Sequence, residues 1–304
     1  MAFFFCWNSD KLELRFMLID THSHVNFNAY KDDSSEVIRR SLDNNVWMIN
    51  VGSQFSTSRR AVRIAEKYGR GVYAAIGLHP VHLADGILET KIYGEEVVFD
   101  TREEVFDYER YKGLALGENL DSRSTQIEEL AKSSKVVAIG EIGLDYYYKP
   151  KSKSKLTEFK ERQKQSFLEQ LRLAKELNLP IISHCRMAHN DLIQILENEQ
   201  NISGVVHCFT GNWEQAQRYL EMGFYLGFNG IIFKLDLDEV IRKTPLERIL
   251  IETDCPYLTP SPVEGRNEPL YVKYVVERIA QIKDKSYEEI AKITTENARK
   301  LFKI

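Results

Sequence analysis

Six side chains suited to holding a divalent cation stand at or near the ends of short apolar runs spread over most of the chain. His22 and His24 follow FMLID, Glu141 lies in AIGEIG, His184 closes PIISH, His207 lies in GVVHCF and Asp254 closes ILIETD. Strands of a parallel sheet present their C-terminal ends at one edge, so this placement gathers residues that are far apart in sequence. Imidazole nitrogens and carboxylate oxygens together suit zinc, manganese, iron or magnesium.

The runs recur with a rhythm. Strand-like segments are expected near 16–20, 46–52, 72–77, 136–143, 180–184, 204–209, 224–228 and 249–254. Helical periodicity falls near 34–44, 56–68, 123–133, 157–177, 188–199, 213–222, 236–243, 270–282 and 287–301. This alternation is the mark of parallel strands joined by crossover helices, and eight units predict a closed (β/α)8 barrel. A doubly wound open sheet is the competing architecture, since periodicity does not give strand order. The strand-end positions of the six residues and of His79 favour the barrel, which draws its chemistry from several strands at one mouth. The clearest helix is 157–177, where Phe159, Phe167, Leu171 and Ala174 recur at helical spacing between charges.

One connection is too long for a simple loop of such a fold. Residues 84–122 hold eleven Asp or Glu against four Lys or Arg, a net of −7. They are read as an acidic insertion after the third strand, its VFDYERYKG portion forming a short helix or an ordered excursion near the barrel mouth, with a solvated decoration as the alternative. The organisation expected is an extension over 1–16 and a single barrel over 17–304 that includes the insertion. KPKSKSK at 149–155 is read as a basic, exposed turn region.

The formal net charge of −4 gives no global attraction to a polyanion. Contact with nucleic acid then needs a local positive patch or bound metal, which inverts the potential of an acidic site. Cys6, Cys185, Cys208 and Cys255 form no CxxC pair, so neither a disulfide framework nor a cysteine zinc cluster is suggested. The opening MAFFFCWNSD is too short for a signal sequence, and no run has membrane-spanning length. Cytoplasmic or nuclear residence is the expectation, with no membrane and no obligate protein partner.

His22 and His24 are two residues apart, so an extended backbone turns both to one side. A carboxylate at Glu141 is costly to bury alone; a shared metal or a salt bridge to arginine each resolves that cost. Asp254 suits a ligand that also accepts a proton from water, because the water needs both a cation and a nearby base. Asp20 either backs an imidazole or bonds a strand terminus, and Glu252 either shares a face with Asp254 or buttresses the barrel. Asp145 and Tyr146 are candidate pocket walls, and Cys255 reads as a small buried residue.

These residues carry a resemblance. LIDTHSH, AAIGLHP, AIGEIGLDY, IISHCR, VVHCFTG, GFNG, ILIETDCPYLTP, RNEP and TTENARKLF resemble, in order and over about residues 17–302, the signature segments of the TatD family of metal-dependent deoxyribonucleases. The resemblance implies a TIM (β/α)8 barrel with two divalent ions, Mg2+, Mn2+ or Zn2+. Carried onto this chain, His22, His24, Glu141 and Asp254 hold one ion, and Glu141, His184 and His207 the other. Glu141 and Asp254 are then the catalytic acids, while His79, Arg186, Arg266 and Asn267 lie around a phosphate-binding mouth. Ser183 and Asn26 depart from residues common in relatives, at neither of the implied ligand positions.

The implied activity is phosphodiester hydrolysis, 3′–5′ exonuclease action on single-stranded or frayed DNA ends, with DNA or nucleotide as partner. The same ligands serve an ester or amide hydrolase such as an aminoacyl-tRNA deacylase. A metal-stabilised nucleic-acid-binding protein is the non-enzymatic alternative.

Overall fold

The computed structural model describes residues 16–83, 87–92, 95–100, 106–116, 134–147 and 149–304, with 87–92 and 95–100 described by backbone path. In chain order the first elements are β1 (Leu18–Ser23), α1 (Ser34–Asp43), β2 (Val46–Val51), α2 (Phe55–Ala65) and β3 (Val72–Ile76). Then come β4 (Ile87–Ile92), β5 (Glu95–Asp100), α3 (Tyr108–Leu116), β6 (Val136–Asp145), α4 (Lys153–Leu177) and β7 (Ile181–Arg186). The chain continues through α5 (His189–Glu197), β8 (Gly204–Val206), α6 (Trp213–Glu221), β9 (Tyr225–Phe228) and α7 (Asp238–Lys243). It ends with β10 (Ile249–Ile251), α8 (Val272–Lys283) and α9 (Tyr287–Phe302).

Eight of the strands form one sheet in the order β1-β2-β3-β6-β7-β8-β9-β10, with every paired register parallel. The two ends of that order meet just past the strands. Ser23 bridges Cys255, the His24 N–H donates to the Cys255 carbonyl at 2.9 Å, and the Asp254 N–H donates to the His22 carbonyl at 2.8 Å. This seam makes the TIM barrel, and it sets the HxH pair directly beside Asp254.

Alternation along the strands divides the core in two. Leu18, Met48, Ile76, Ile139 and Ile181 face outward to the helices. Ile19, Ile49, Ala75, Ile182 and Leu250 point inward and are joined by Leu301 and Phe302 at the end of α9.

The clearest expected helix begins a turn earlier than its apolar periodicity shows, at Lys153, and ends where Asn178 turns left-handed (φ 51°). Two buried glutamines on its inner face tie strand ends to the helix. Gln163 exchanges hydrogen bonds with the Asp145 backbone, 2.9 Å each way, and Gln170 does the same with Leu78 at 2.7 and 3.1 Å.

The long connection after β3 is ordered structure where the structure describes it, including a short helix in the VFDYERYKG stretch. It contains an antiparallel hairpin, β4 with β5, in register from Ile87 opposite Asp100 to Ile92 opposite Glu95. The hairpin runs beside the short turn Pro80–Leu83 that follows His79. The helix expected at 123–133 lies outside the described residues. Within the segment read as insertion, α3 packs on α2 and α4, buries Phe106, Tyr111 and Leu114, and donates the Tyr111 hydroxyl to the Gly77 carbonyl at 3.2 Å. This part of 84–122 is core, because those apolar side chains cover the barrel wall.

Candidate metal centre

β1, β6, β7, β8 and β10 each bring one or two of the expected residues to the same end of the barrel, and Glu141 stands at the centre of them. Its two carboxylate oxygens face different partners. Oε2 lies 3.5 Å from His22 Nε2 and 3.9 Å from His24 Nε2, and Asp254 Oδ1 lies 3.3 Å from His24 Nε2 and 3.9 Å from His22 Nε2. Oε1 lies 2.8 Å from His184 Nδ1 and 3.3 Å from both His207 Nε2 and His79 Nε2.

Hydrogen bonding on the far side of each ring fixes which nitrogen faces inward. His24 Nδ1 donates to the Val51 carbonyl at 2.8 Å, which leaves its Nε2 lone pair directed at Asp254. His207 Nδ1 meets Glu252 Oε2 at 3.1 Å, and the same oxygen accepts the Cys208 N–H at 3.0 Å. His79 has the reverse arrangement. Its Nδ1 accepts the Val81 N–H at 3.0 Å, so Nε2 carries the proton toward Glu141. His79 is therefore a donor to the central carboxylate.

Lone pairs facing lone pairs repel unless a cation lies between them. Among His22 Nε2, His24 Nε2, Glu141 Oε2 and Asp254 Oδ1, the two imidazole nitrogens are 3.1 Å apart and each lies 3.3–3.9 Å from the two carboxylate oxygens. That spacing brackets the about 3.4 Å edge of a tetrahedron with bonds of about 2.1 Å. The donor set thus fits a divalent metal, and His22–His24–Asp254 and His22–Glu141–His207 are each close enough to share one.

Without metal, protons must do this work. Burial opposes charge on His184, yet its hydrogen bonds to Asp145 and Glu141 lift it to about 9. Burial also opposes charge on His207, but Glu252 and Glu141 raise it well above the ordinary imidazole value. Burial together with the nearby His207 presses His22 down to about 4. Glu141 stays ionised despite its burial because His79, His207 and His22 hold it well below the usual carboxylate range.

The pocket above these atoms is lined by His24, His79, Glu141, His184, His207 and Asp254, with Phe27, Asp145, Arg186 and Tyr257 among its walls. Cys208 (φ 44°) and Asp254 (φ 57°) adopt left-handed backbone at its floor, a costly conformation that aims side chains a regular strand end does not.

The profile of the TatD related DNase family matches residues 19–303. The chain belongs to the TatD family. Its TatD relatives include the metal-dependent hydrolase YabD of Bacillus subtilis, 42% identical over 295 residues, covering 95% of this chain and 100% of that one. The 3′–5′ ssDNA/RNA exonuclease TatD of Pantoea vagans is 29% identical over 299 residues, 94% of this chain and 100% of that one. The crystal structure of YJJV, a TatD homologue of Escherichia coli K12, superposes with a TM-score of 0.74 at 29% identity, covering 94% of this chain and 98% of that one. As a TatD protein, the chain is a metal-dependent hydrolase. Among the described residues no helix is long and apolar enough to cross a membrane.

Two expected phosphate-binding residues are placed elsewhere. Asn267 is fully buried, its amide donating to the Thr253 and Tyr257 carbonyls at 2.9 and 2.6 Å and its Oδ1 accepting the Glu268 N–H at 2.9 Å. With every side-chain group engaged, it latches the Asp254 loop and has nothing left for a ligand. Arg266 pairs with Asp33, donates to the Ala29 carbonyl at 2.6 Å and lies over the Tyr30 ring, away from the pocket lining. Arg186 and His79 do line the pocket.

Asp20 binds the Thr253 N–H and hydroxyl at 2.9 and 2.5 Å and the His22 N–H at 3.2 Å, locking β1 to the Asp254 loop. Neither Phe27 nor the role of Gly227 within GFNG is legible in the sequence. A Cβ on Gly227 would stand 1.9 Å from Glu252 Oε1, so the glycine makes the slot for that carboxylate. The Phe27 ring stacks on His24 at 4.2 Å and fixes its plane.

Proposed function

We propose that this chain is a 3′–5′ exonuclease that hydrolyses phosphodiester bonds at single-stranded or frayed DNA ends with two divalent ions, Mg2+, Mn2+ or Zn2+. The observation that carries the reading is the division of the Glu141 carboxylate, one oxygen toward His22 and His24 and the other toward His184 and His207. His22, His24, Glu141 and Asp254 hold one ion; Glu141, His184 and His207 hold the second. Relatives named as 3′–5′ ssDNA/RNA exonucleases support the substrate class.

The ions, when bound, supply the positive charge that acidifies an attacking water and neutralises the phosphate. Asp254 accepts the proton of that water. Burial works against its charge, but the surrounding imidazoles hold it below the usual aspartate range, so it is ionised. The water oxygen bonds to phosphorus, the P–O3′ bond breaks, and the leaving oxygen is protonated from solvent. His79 steadies Glu141 through its Nε2 proton, and Arg186 offers the pocket a guanidinium for nonbridging oxygens.

A strand labelled at its 5′ end, incubated with each ion in turn, gives a ladder that shortens from the 3′ end, faster than a matched blunt duplex because opening pairs costs free energy. An enzyme that leaves both polymers intact and cleaves an aminoacyl ester overturns the reading.

A further inference from the structure

Among the described residues the exposed large hydrophobic side chains are Tyr147, Met187 and Leu235, at 48%, 65% and 46% exposure. Isolated exposed apolar side chains are ordinary on any protein. Tyr147 and Met187 are not scattered: they follow β6 and β7, neighbouring strands that pair Asp145 with Arg186, on the metal-centre face. The Arg186 guanidinium, itself a pocket wall, lies 3.6 Å from the centroid of the Tyr147 ring. Asp145 connects this pair to the cluster. Its Oδ2 lies 3.1 Å from His184 Nε2, and its Oδ1 accepts the Tyr147 N–H at 2.8 Å. The ring is thus held at a fixed offset from the reacting centre by a single carboxylate.

Two residues beyond Tyr147 the chain begins KPKSKSK, four lysines in seven residues with no acid among them, in a protein of net charge −4. The lysines Lys149, Lys151, Lys153 and Lys155 are all exposed. A cationic track beside a flat π surface, opening onto a catalytic pocket, is the arrangement by which proteins hold single strands without reading sequence.

We infer that Tyr147, Arg186 and Met187 form a stacking platform for a nucleobase next to the scissile phosphate, and that Lys149–Lys155 holds the phosphates of the strand leading to it. This rests on the nuclease reading and adds how the strand is bound. Stacking on one aromatic is worth about 1–3 kcal/mol per base, which is about 5- to 150-fold in affinity. Each lysine on a phosphate of a single strand steepens the salt dependence by about 0.7 in log–log slope.

The two parts separate in one experiment. Binding of the metal-loaded full chain to a fluorescein-labelled twelve-nucleotide single strand with phosphorothioate linkages is followed by anisotropy from low to moderate salt. Tyr147→Ala is expected to weaken binding at least 5-fold with an unchanged salt slope, while Tyr147→Phe binds as the parent does. Replacing Lys149, Lys151, Lys153 and Lys155 by Gln is expected to flatten the slope by at least 1.4, the contribution of about two phosphates. These lysines lie at or before the first turn of α4, where cations oppose the helix dipole, so their removal does not endanger folding. Equal affinity and slope in all three variants, with the parent still cleaving an unmodified strand, overturns the platform and leaves the nuclease reading standing. A parent that neither binds nor cleaves the strand overturns both.

Discussion

Glu252 receives the Nδ1 side of His207 at 3.1 Å while fully buried, and so fixes the ring whose other nitrogen faces Glu141. A carboxylate behind a metal-binding imidazole orients it and raises its basicity, and loss of such a partner costs about 10- to 100-fold in metal affinity. Glu252→Gln is expected to lose that much by calorimetric titration while its circular dichroism stays that of the parent. Gly227→Ala reaches the same carboxylate from behind without touching the histidine, since its Cβ would lie 1.9 Å from Oε1. It is expected to weaken the same ion, and unchanged affinity in both folded variants contradicts the role.

Asn267 holds the Asp254 loop and does not reach the pocket. Asn267→Ala strands the buried carbonyl of Thr253 and the partly buried carbonyl of Tyr257. An unsatisfied buried group costs about 1–3 kcal/mol, so the variant is expected to be about 2–4 kcal/mol less stable. Chemical denaturation of the metal-loaded protein measures this, and a variant as stable as the parent removes the latch.

His184 gives metal binding a pH dependence with a definite sign. In the metal-free fold it is raised to about 9 from its ordinary 6.5 by Asp145 and Glu141, against the pull of burial. The folded state therefore binds more protons than the unfolded one between those values. The resulting stability is complete below about 6.5 and is lost as pH rises through about 9. Metal displaces the proton, so its apparent affinity strengthens over the same window. The gap in melting temperature between metal-loaded and metal-stripped protein is expected to widen from pH 6.5 to 9. A gap that narrows over that range contradicts this proton bookkeeping.

The barrel and the central cluster are legible in the sequence for one reason. A strand end is a fixed address, so a histidine or acid after an apolar run has its destination set by topology. Asp254 beside His22 is an example, since the seam between β1 and β10 follows from closing the eight strands. Residues whose role depends on loop path are not legible. RNEP shows an arginine and an asparagine near the last strand, but only the folded loop turns Arg266 to Asp33 and Asn267 to backbone carbonyls. A short helix is legible in VFDYERYKG but its burial is not: Asp107, Glu109, Arg110 and Lys112 surround the buried Phe106, Tyr111 and Leu114, so acidic composition masks a core segment. The role of Gly227 within GFNG is not legible because it is the space left for Glu252, a residue 25 positions away.

In the proposed centre one carboxylate, Glu141, serves two ions, with Oε2 toward His22 and Oε1 toward His184. The most direct test is the metal content of the folded full chain after saturation and gel filtration, for the parent and for Glu141→Gln, which keeps the size of the side chain and removes its charge. Two ions per chain are expected in the parent, and depletion of both, with turnover lost, in a variant whose circular dichroism is unchanged. A parent that saturates at a single ion, or a Glu141→Gln protein that retains two ions and full activity, contradicts it.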